Sequence, residues 1–369
     1  MAANCLQFIR DILIPASSGQ IGTRALEKAI IHEMASITVP AQGSQAGPLR
    51  PLNILRDLPQ VADLIELCFS STIDDEGQSY LEQMRRASRD NEFLRWAGRV
   101  VDTTSMPLSG FVWEANGRIV GNASLVYQNY GARKIAMIAN VATHPDYRRQ
   151  GIGRALTEGA MAHARQKGAR ELWLHVRADN PTAIRIYREL GFTERARRTT
   201  YHSKPGAPIS SLVAHTLAET EPRRRLTLAQ PRPRDWPLQL AWLRRAHPNE
   251  LSWYSRWDWG RLSPDLWNWL YRTLVEFNIR QWAALRDGKL VATLSWMPAM
   301  HTANMLWIGS ELEGDPEGLQ SVLEAARYDL AHYRRLVVEY PAGEMVSAIE
   351  SAGFETYRTL LWMRAGATP

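Results

Sequence analysis

A basic, glycine-punctuated run, Arg148-Arg149-Gln150-Gly151-Ile152-Gly153-Arg154, stands where an apolar strand-like stretch gives way to a helical one. Glycine lets a backbone approach a ligand closely, and the first N–H groups of a helix are unpaired and carry partial positive charge, so this run suits a phosphate or pyrophosphate. Further on, Asn180-Pro181 opens another helical stretch that carries Tyr187. A phenol there can supply a proton in a reaction. Ala183 and Leu190 share its face, however, so a core tyrosine with a satisfied hydroxyl explains it as well. Asn180 needs no role beyond capping its helix.

These residues require particular elements to hold them. The reading begins with a strand over Leu52 to Leu55 and a helix opened by Asp57 and Pro59, whose apolar face is Val61, Leu64, Ile65 and Cys68. A hairpin follows: Gly110 to Ala115, the turn Asn116-Gly117, then Arg118 to Tyr127. A third strand over Lys134 to Thr143 is broken by Pro145, and the glycine run then leads into a helix that stops at Lys167-Gly168. Glu171 to Val176 reads as a strand, Asn180 to Leu190 as a helix with an N-cap and a first-turn proline, and Phe192 to Tyr201 as a closing strand. The order implies a mixed sheet with helices packed on it, an α/β (α+β) fold.

The pattern then returns. Asp287-Gly288-Lys289 ahead of Leu290 to Trp296 echoes Asn116-Gly117-Arg118 ahead of Ile119 to Leu125, and Gly353-Phe354 echoes Gly191-Phe192. Between these landmarks the first copy spans 74 positions and the second 65. The shortfall falls at the glycine run, replaced by Gly314-Asp315-Pro316-Glu317-Gly318, which has two acids where an anion would sit. The expected domains are a poorly ordered extension over residues 1–48, a first copy over 49–203, a linker over 204–224 with its first strand beyond it at Leu226 to Ala229, and a degenerate second copy over 225–366. Met34 is an alternative start within that extension.

Arg148, Gly151 and Gly153, together with the block Asn180-Pro-Thr-Ala-Ile-Arg-Ile-Tyr187-Arg-Glu-Leu-Gly191-Phe192, resemble the GCN5-related N-acetyltransferases (GNAT) over about residues 50–203. The resemblance implies a donor, acetyl-coenzyme A, with its pyrophosphate on the loop of Arg148, Arg149, Gln150, Gly151, Ile152, Gly153 and Arg154. The backbone of Val141, Ala142 and Thr143 would run beside the pantetheine, and Asn180 would touch the coenzyme. It implies Tyr187 as the acid that protonates the departing thiolate, and a primary amine, small molecule or peptide, as acceptor. Many relatives have a glutamate on the third hairpin strand. No carboxylate lies between Ile135 and Thr143 here, which leaves Glu114, His144 or a water chain as the base. The acids Asp74-Asp75-Glu76 are either an acceptor-attracting edge or a solvated loop.

Composition narrows the alternatives. Two cysteines, Cys5 and Cys68, lack metal or redox spacing, so no metal is expected. No run approaches the roughly 18 apolar residues of a membrane span, and the expected setting is cytoplasmic, as a monomer or weak homodimer. The net charge of +6 is diffuse. Its denser clusters, Arg195 with Arg197 and Arg198, and Arg223 to Arg225, read as solvated charge and not as a nucleic-acid surface. Of 14 tryptophans, 11 lie at or beyond Trp236, a density that suits core packing or the wall of an acceptor site. A non-catalytic acyl-coenzyme A sensor is the competing reading.

Overall fold

A computed structural model describes residues 48–70, 73, 75–89, 109–204, 226–254, 259–264, 279–296, 304–333 and 335–366. The extension 1–47, Asp74, nearly all of the linker, and Trp257, Trp267 and Trp269 therefore lie outside the described residues. By packing the chain divides into two units, one ending at Arg170 and one beginning at Glu171.

The first unit opens with strand β1 (Leu49–Pro51) and helix α1 (Ile54–Phe69). Both start earlier than their sequence signals. Asn53 is the N-cap, its side chain accepting from the Leu55 amide at 3.0 Å, so the helix begins before Asp57 and encloses Pro59. Proline removes one helical hydrogen bond there, to the carbonyl of the exposed Leu55, where water can replace it. Asp57 is buried and accepts from the Asn53 amide at 2.8 Å and from Arg50 at 2.6 Å. Burial alone would raise its pKa, but Arg50 and the Asn53 amide outweigh it and hold the carboxyl below its usual range.

Helix α2 (Asp75–Ala87) follows, then strands β2 (Ser109–Ala115), β3 (Arg118–Tyr130) and β4 (Arg133–Thr143), and helix α3 (Ile152–Gln166). Strands β1 to β4 pair antiparallel in sequence order. Asn116 and Gly117 both adopt positive φ, as the two-residue hairpin between β2 and β3 requires. Gly121 on β3 leaves room for two side chains of α3: a Cβ there would lie 2.8 Å from both Ile152 and Leu156. The missing side chain is what seats this helix against the sheet.

The second unit contains β5 (Glu171–Arg177), α4 (Pro181–Glu189), β6 (Thr193–Ser203), β7 (Leu226–Ala229), α5 (Trp236–Ala246), β8 (Arg280–Arg286), β9 (Lys289–Trp296), β10 (Asn304–Ser310), α6 (Pro316–Asp329), β11 (Leu336–Pro341), α7 (Val346–Ser351) and β12 (Phe354–Gly366). Its strands lie in the order β5-β12-β6-β11-β10-β9-β8-β7. Among the described residues of this unit only the β10–β11 pair is parallel. The last strand of the second copy is thus inserted between the last two of the first. Thr193 Oγ1 donates to the carbonyl of Arg364 at 3.2 Å, 171 positions further along the chain. The sequence repeat and the packed unit are different objects, because β5, α4 and β6 belong to the first copy by sequence and pack with the second.

The core beneath α6 and α7 gathers Tyr201, Leu294, Ile308, Leu323, Tyr340 and Phe354. The described tryptophans are largely core: Trp253 is fully buried and packs on Trp173 and Trp362, at 5.6 and 6.4 Å between ring centroids. Arg198 departs from its reading as solvated charge. It is buried, pairs with Glu339 at 2.5 Å and donates to the Ala246 carbonyl at 2.6 Å, tying β6 to β11 and to the end of α5. Arg195 and Arg197 stay partly exposed, paired with Glu250 and Glu194. No helix among the described residues is long and apolar enough to cross a membrane.

Candidate active site

Thr143 ends β4, a single turn over Pro145–Tyr147 follows, and α3 begins at Ile152. Between them Arg149 has φ +63° and Gly151 φ +79°, two left-handed residues flanking Gln150. Such alternation turns successive backbone N–H groups toward one point. Gly151 is the N-cap of α3 without any side-chain cap, and the first turn holds no acid. A Cβ on Gly151 would meet nothing within 4 Å, and one on Gly153 only Thr143 Oγ1 at 3.7 Å. Arg148, Arg149, Gln150 and Gly151 are exposed. The result is an uncapped, basic, open helix start, which binds an anion through backbone donors and dipole. The Thr143 carbonyl already accepts from Cys68 Sγ at 3.3 Å and, more weakly, from Arg148 Nε at 3.4 Å.

The corresponding helix of the second copy is filled from within. Asp315 caps α6, accepting from the Gly318 amide at 2.9 Å, and Arg286 pairs with Asp315 through two nitrogens and with Glu317 at 2.9 Å. Arg286 holds the Asp315 carboxyl below its usual range. An anion thus already occupies this helix start as a covalent part of the chain. Asp315→Ala is expected to lower stability to urea by about 1–2 kcal/mol, the ordinary cost of a lost cap. It should leave the midpoint for coenzyme binding at α3 unchanged.

Strand β4 carries a bulge beside the loop. Asn122 pairs with Ala142 and Ser124 with Ala139, so Asn140 and Val141 face Ala123 alone. Asn140 has φ +52° and is buried, and its amide donates to the Tyr80 hydroxyl on α2 at 3.2 Å. Ala142 is buried, while Val141 and Thr143 are half-buried. Asn140 stands in the stretch from Ile135 to Thr143 that holds no carboxylate. Its partners Tyr80 and Asn122 were not foreseen, although asparagine inside an apolar strand is itself a signal, since strands disfavour it.

The two candidate bases are already engaged. Glu114 pairs with Arg50 and with Arg56 at 2.7 and 2.6 Å, and Arg50 above all holds its carboxyl below the usual range. It is a weaker base for that. His144 caps the Pro145–Tyr147 turn, its Nδ1 accepting from the Asp146 amide at 3.3 Å, with Tyr147 edge-on at 5.8 Å. The side chains of Asp75 and Glu76 lie outside the described residues, as does Asp74.

In the second unit, Asn180 accepts from the Ala183 amide at 3.1 Å and so caps α4, with Pro181 in the first turn. Tyr187 is 6% exposed and meets Phe192 edge-on at 6.1 Å. Burial pushes its pKa above the ordinary phenol value, so it stays protonated at neutral pH.

Residues 59–192 match the acetyltransferase (GNAT) family. The chain is similar to the [ribosomal protein bS18]-alanine N-acetyltransferase of Escherichia coli, 46% identical over 67 residues, which is 18% of this chain and 45% of that one. It is also similar to the mycothiol acetyltransferase of Saccharomonospora viridis, 37% identical over 118 residues, 32% of this chain and 37% of that one. The chain thus spans less than half the length of these curated relatives. A GCN5-related N-acetyltransferase from Sphaerobacter thermophilus shares the fold at 15% identity, with a TM-score of 0.50, over 88% of this chain and 98% of its own. One copy thus carries an uncapped glycine loop and the other a self-filled one, and the first lies within the stretch, residues 59–192, that matches the acetyltransferase (GNAT) family.

Proposed function

We propose that the chain transfers an acetyl group from acetyl-coenzyme A to a primary amine by direct attack in a ternary complex. The observation that carries this reading is the uncapped start of α3 behind the left-handed residues Arg149 and Gly151, a ready receptor for a pyrophosphate. The loop of Arg148, Arg149, Gln150, Gly151, Ile152, Gly153 and Arg154 would hold that group, with Val141, Ala142 and Thr143 alongside the pantetheine and Asn180 near the coenzyme. The Thr143 carbonyl is partly engaged, so the Val141 backbone would do most of that pairing.

In the reaction the amine nitrogen attacks the thioester carbon and a C–N bond forms. The carbonyl oxygen becomes an oxyanion, which a backbone N–H near Val141 would stabilise. Collapse breaks the C–S bond, and the thiolate takes the proton of Tyr187. Water removes the surplus proton from the nitrogen. A phenol kept neutral by burial fits the acid's role. The second copy would bind no coenzyme, and its α6 cap supports that. Cytoplasmic residence is the setting in which this donor would be met.

The test is thiol release from acetyl-coenzyme A with an alanine-initiated peptide, an acceptor chosen from the E. coli likeness. Tyr187→Phe is expected to lower kcat by about a hundredfold, in the range for loss of a general acid, with coenzyme affinity unchanged. Tight coenzyme binding with no release for any amine would favour the sensor reading.

A further inference from the structure

We propose that His247 is an acid-released latch, joining the end of α5 to β6 and β11 only while its ring is uncharged; this is independent of the acetyltransferase reading. His247 is the residue on which α5 ends, its backbone amide donating to the Leu243 carbonyl at 2.9 Å. Its Nδ1 lies 3.0 Å from Arg198 Nη2. A guanidinium has N–H donors and no acceptor, so Nδ1 is the bare nitrogen and the hydrogen of the neutral ring sits on Nε2. That Nε2 is shut from solvent without a partner. An incoming proton has one place to go, Nδ1, and Arg198 is already there. Protonation and the Arg198 contact therefore exclude each other.

Arg198 is the partner less able to leave. It is buried, and it also donates to the Ala246 carbonyl at 2.6 Å, to the Glu339 carbonyl at 3.0 Å and to the Glu339 carboxylate at 2.5 Å. Each neighbouring element brings its own group to the ring. Strand β6 contributes Arg198, β11 contributes Glu339 through Arg198, β10 contributes Trp307 edge-on at 5.1 Å, and the Trp259–Leu262 turn contributes Trp259 at 5.2 Å. Arg244 and Arg245 on α5 itself are exposed. The tryptophan faces, the C-terminal end of α5 and Glu339 would all favour a cation. Glu339 and the Ala246 carbonyl are committed to Arg198, however, and burial first, then the Arg198 charge, hold the His247 pKa well below its ordinary value. The unfolded chain takes up this proton at a pKa of about 6.5, and the closed latch does not. The stabilisation is thus whole above that pH. Below it, the folding equilibrium loses about tenfold for each pH unit until the native ring is charged too.

The test compares urea unfolding of the full chain with that of His247→Gln, followed by tryptophan fluorescence. The glutamine carbonyl can accept from Arg198 and does not titrate. Between pH ~7.5 and ~5.5 the folding constant of the parent relative to the variant is expected to fall about tenfold. His175, buried on β5 with its pKa pushed down in both proteins, cancels from that ratio. A second measurement needs no variant: nitrogen-15 NMR of the His247 ring and the Arg198 side chain in the parent as the pH is lowered. Nδ1 is expected to stay bare for as long as the Arg198 signal keeps its native position, and the two are expected to change together. A ratio that ignores pH overturns the inference, as does an Nδ1 that gains its proton while the Arg198 signal stays still. Should the variant fail to fold, the NMR comparison decides alone.

Discussion

In calorimetric titration with acetyl-coenzyme A, the unaltered chain is expected to bind one equivalent, and a variant carrying Gly151→Glu and Gly153→Glu none. Both substitutions insert negative charge where the start of α3 offers N–H groups and a positive dipole end. Gly151 adds a conformational penalty, since its φ of +79° is one that side chains rarely adopt. Like-charge placement at a binding site costs several kcal/mol, so affinity should fall by at least about a thousandfold. A Cβ at either glycine meets no contact closer than 3.7 Å, so the fold should survive and the loss can be assigned to the site. Binding of two equivalents by the parent would contradict the reading of the Asp315 cap. Full binding by the variant would remove the loop from the coenzyme site.

Ending the chain after Gly353 is expected to abolish the native state of the second unit. Strand β12 pairs with β5 on one side and β6 on the other. It also buries Phe354, Leu360, Leu361, Trp362 and Met363. Five large apolar side chains at roughly 1.5–3 kcal/mol each amount to about 8–15 kcal/mol. That is of the order of a whole domain's stability, about 5–15 kcal/mol. Size-exclusion chromatography should find aggregates, and near-UV circular dichroism should lose the bands of the packed tryptophans. A monomeric truncated chain with its near-UV spectrum intact would mean that β5 and β6 close on each other without the inserted strand.

Much of this was legible because its causes are local. Asn116-Gly117 and Asp287-Gly288 each take positive φ at both positions, which the residue types demand wherever they occur between strands. The cap at Asn180, the proline after it and the glycine loop are equally short-range. What the sequence hid depends on partners far along the chain. Nothing near Glu114 announces that Arg50 will hold it, and nothing near Arg198 announces Glu339 and the Ala246 carbonyl. The start of α1 was misread because Pro59 is a loud signal and Asn53 a quiet one. Strand order was the least legible feature, since the insertion of β12 is decided by pairings about 150 positions apart or more, for which loop-closure entropy gives no local trace.

The inserted strand also sets a schedule for synthesis. When β6 leaves the ribosome, the strand that belongs between it and β5 has not been made. At roughly 5–20 residues per second, the approximately 160 residues to the end of β12 take on the order of 10–30 s. For that time β5 and β6 each present an unpaired edge to any other extended chain, another nascent copy included, and such edges are templates for aggregation. Slower translation lengthens the exposure, so the yield of native protein should depend on elongation rate over residues 204–366 more than over those before them.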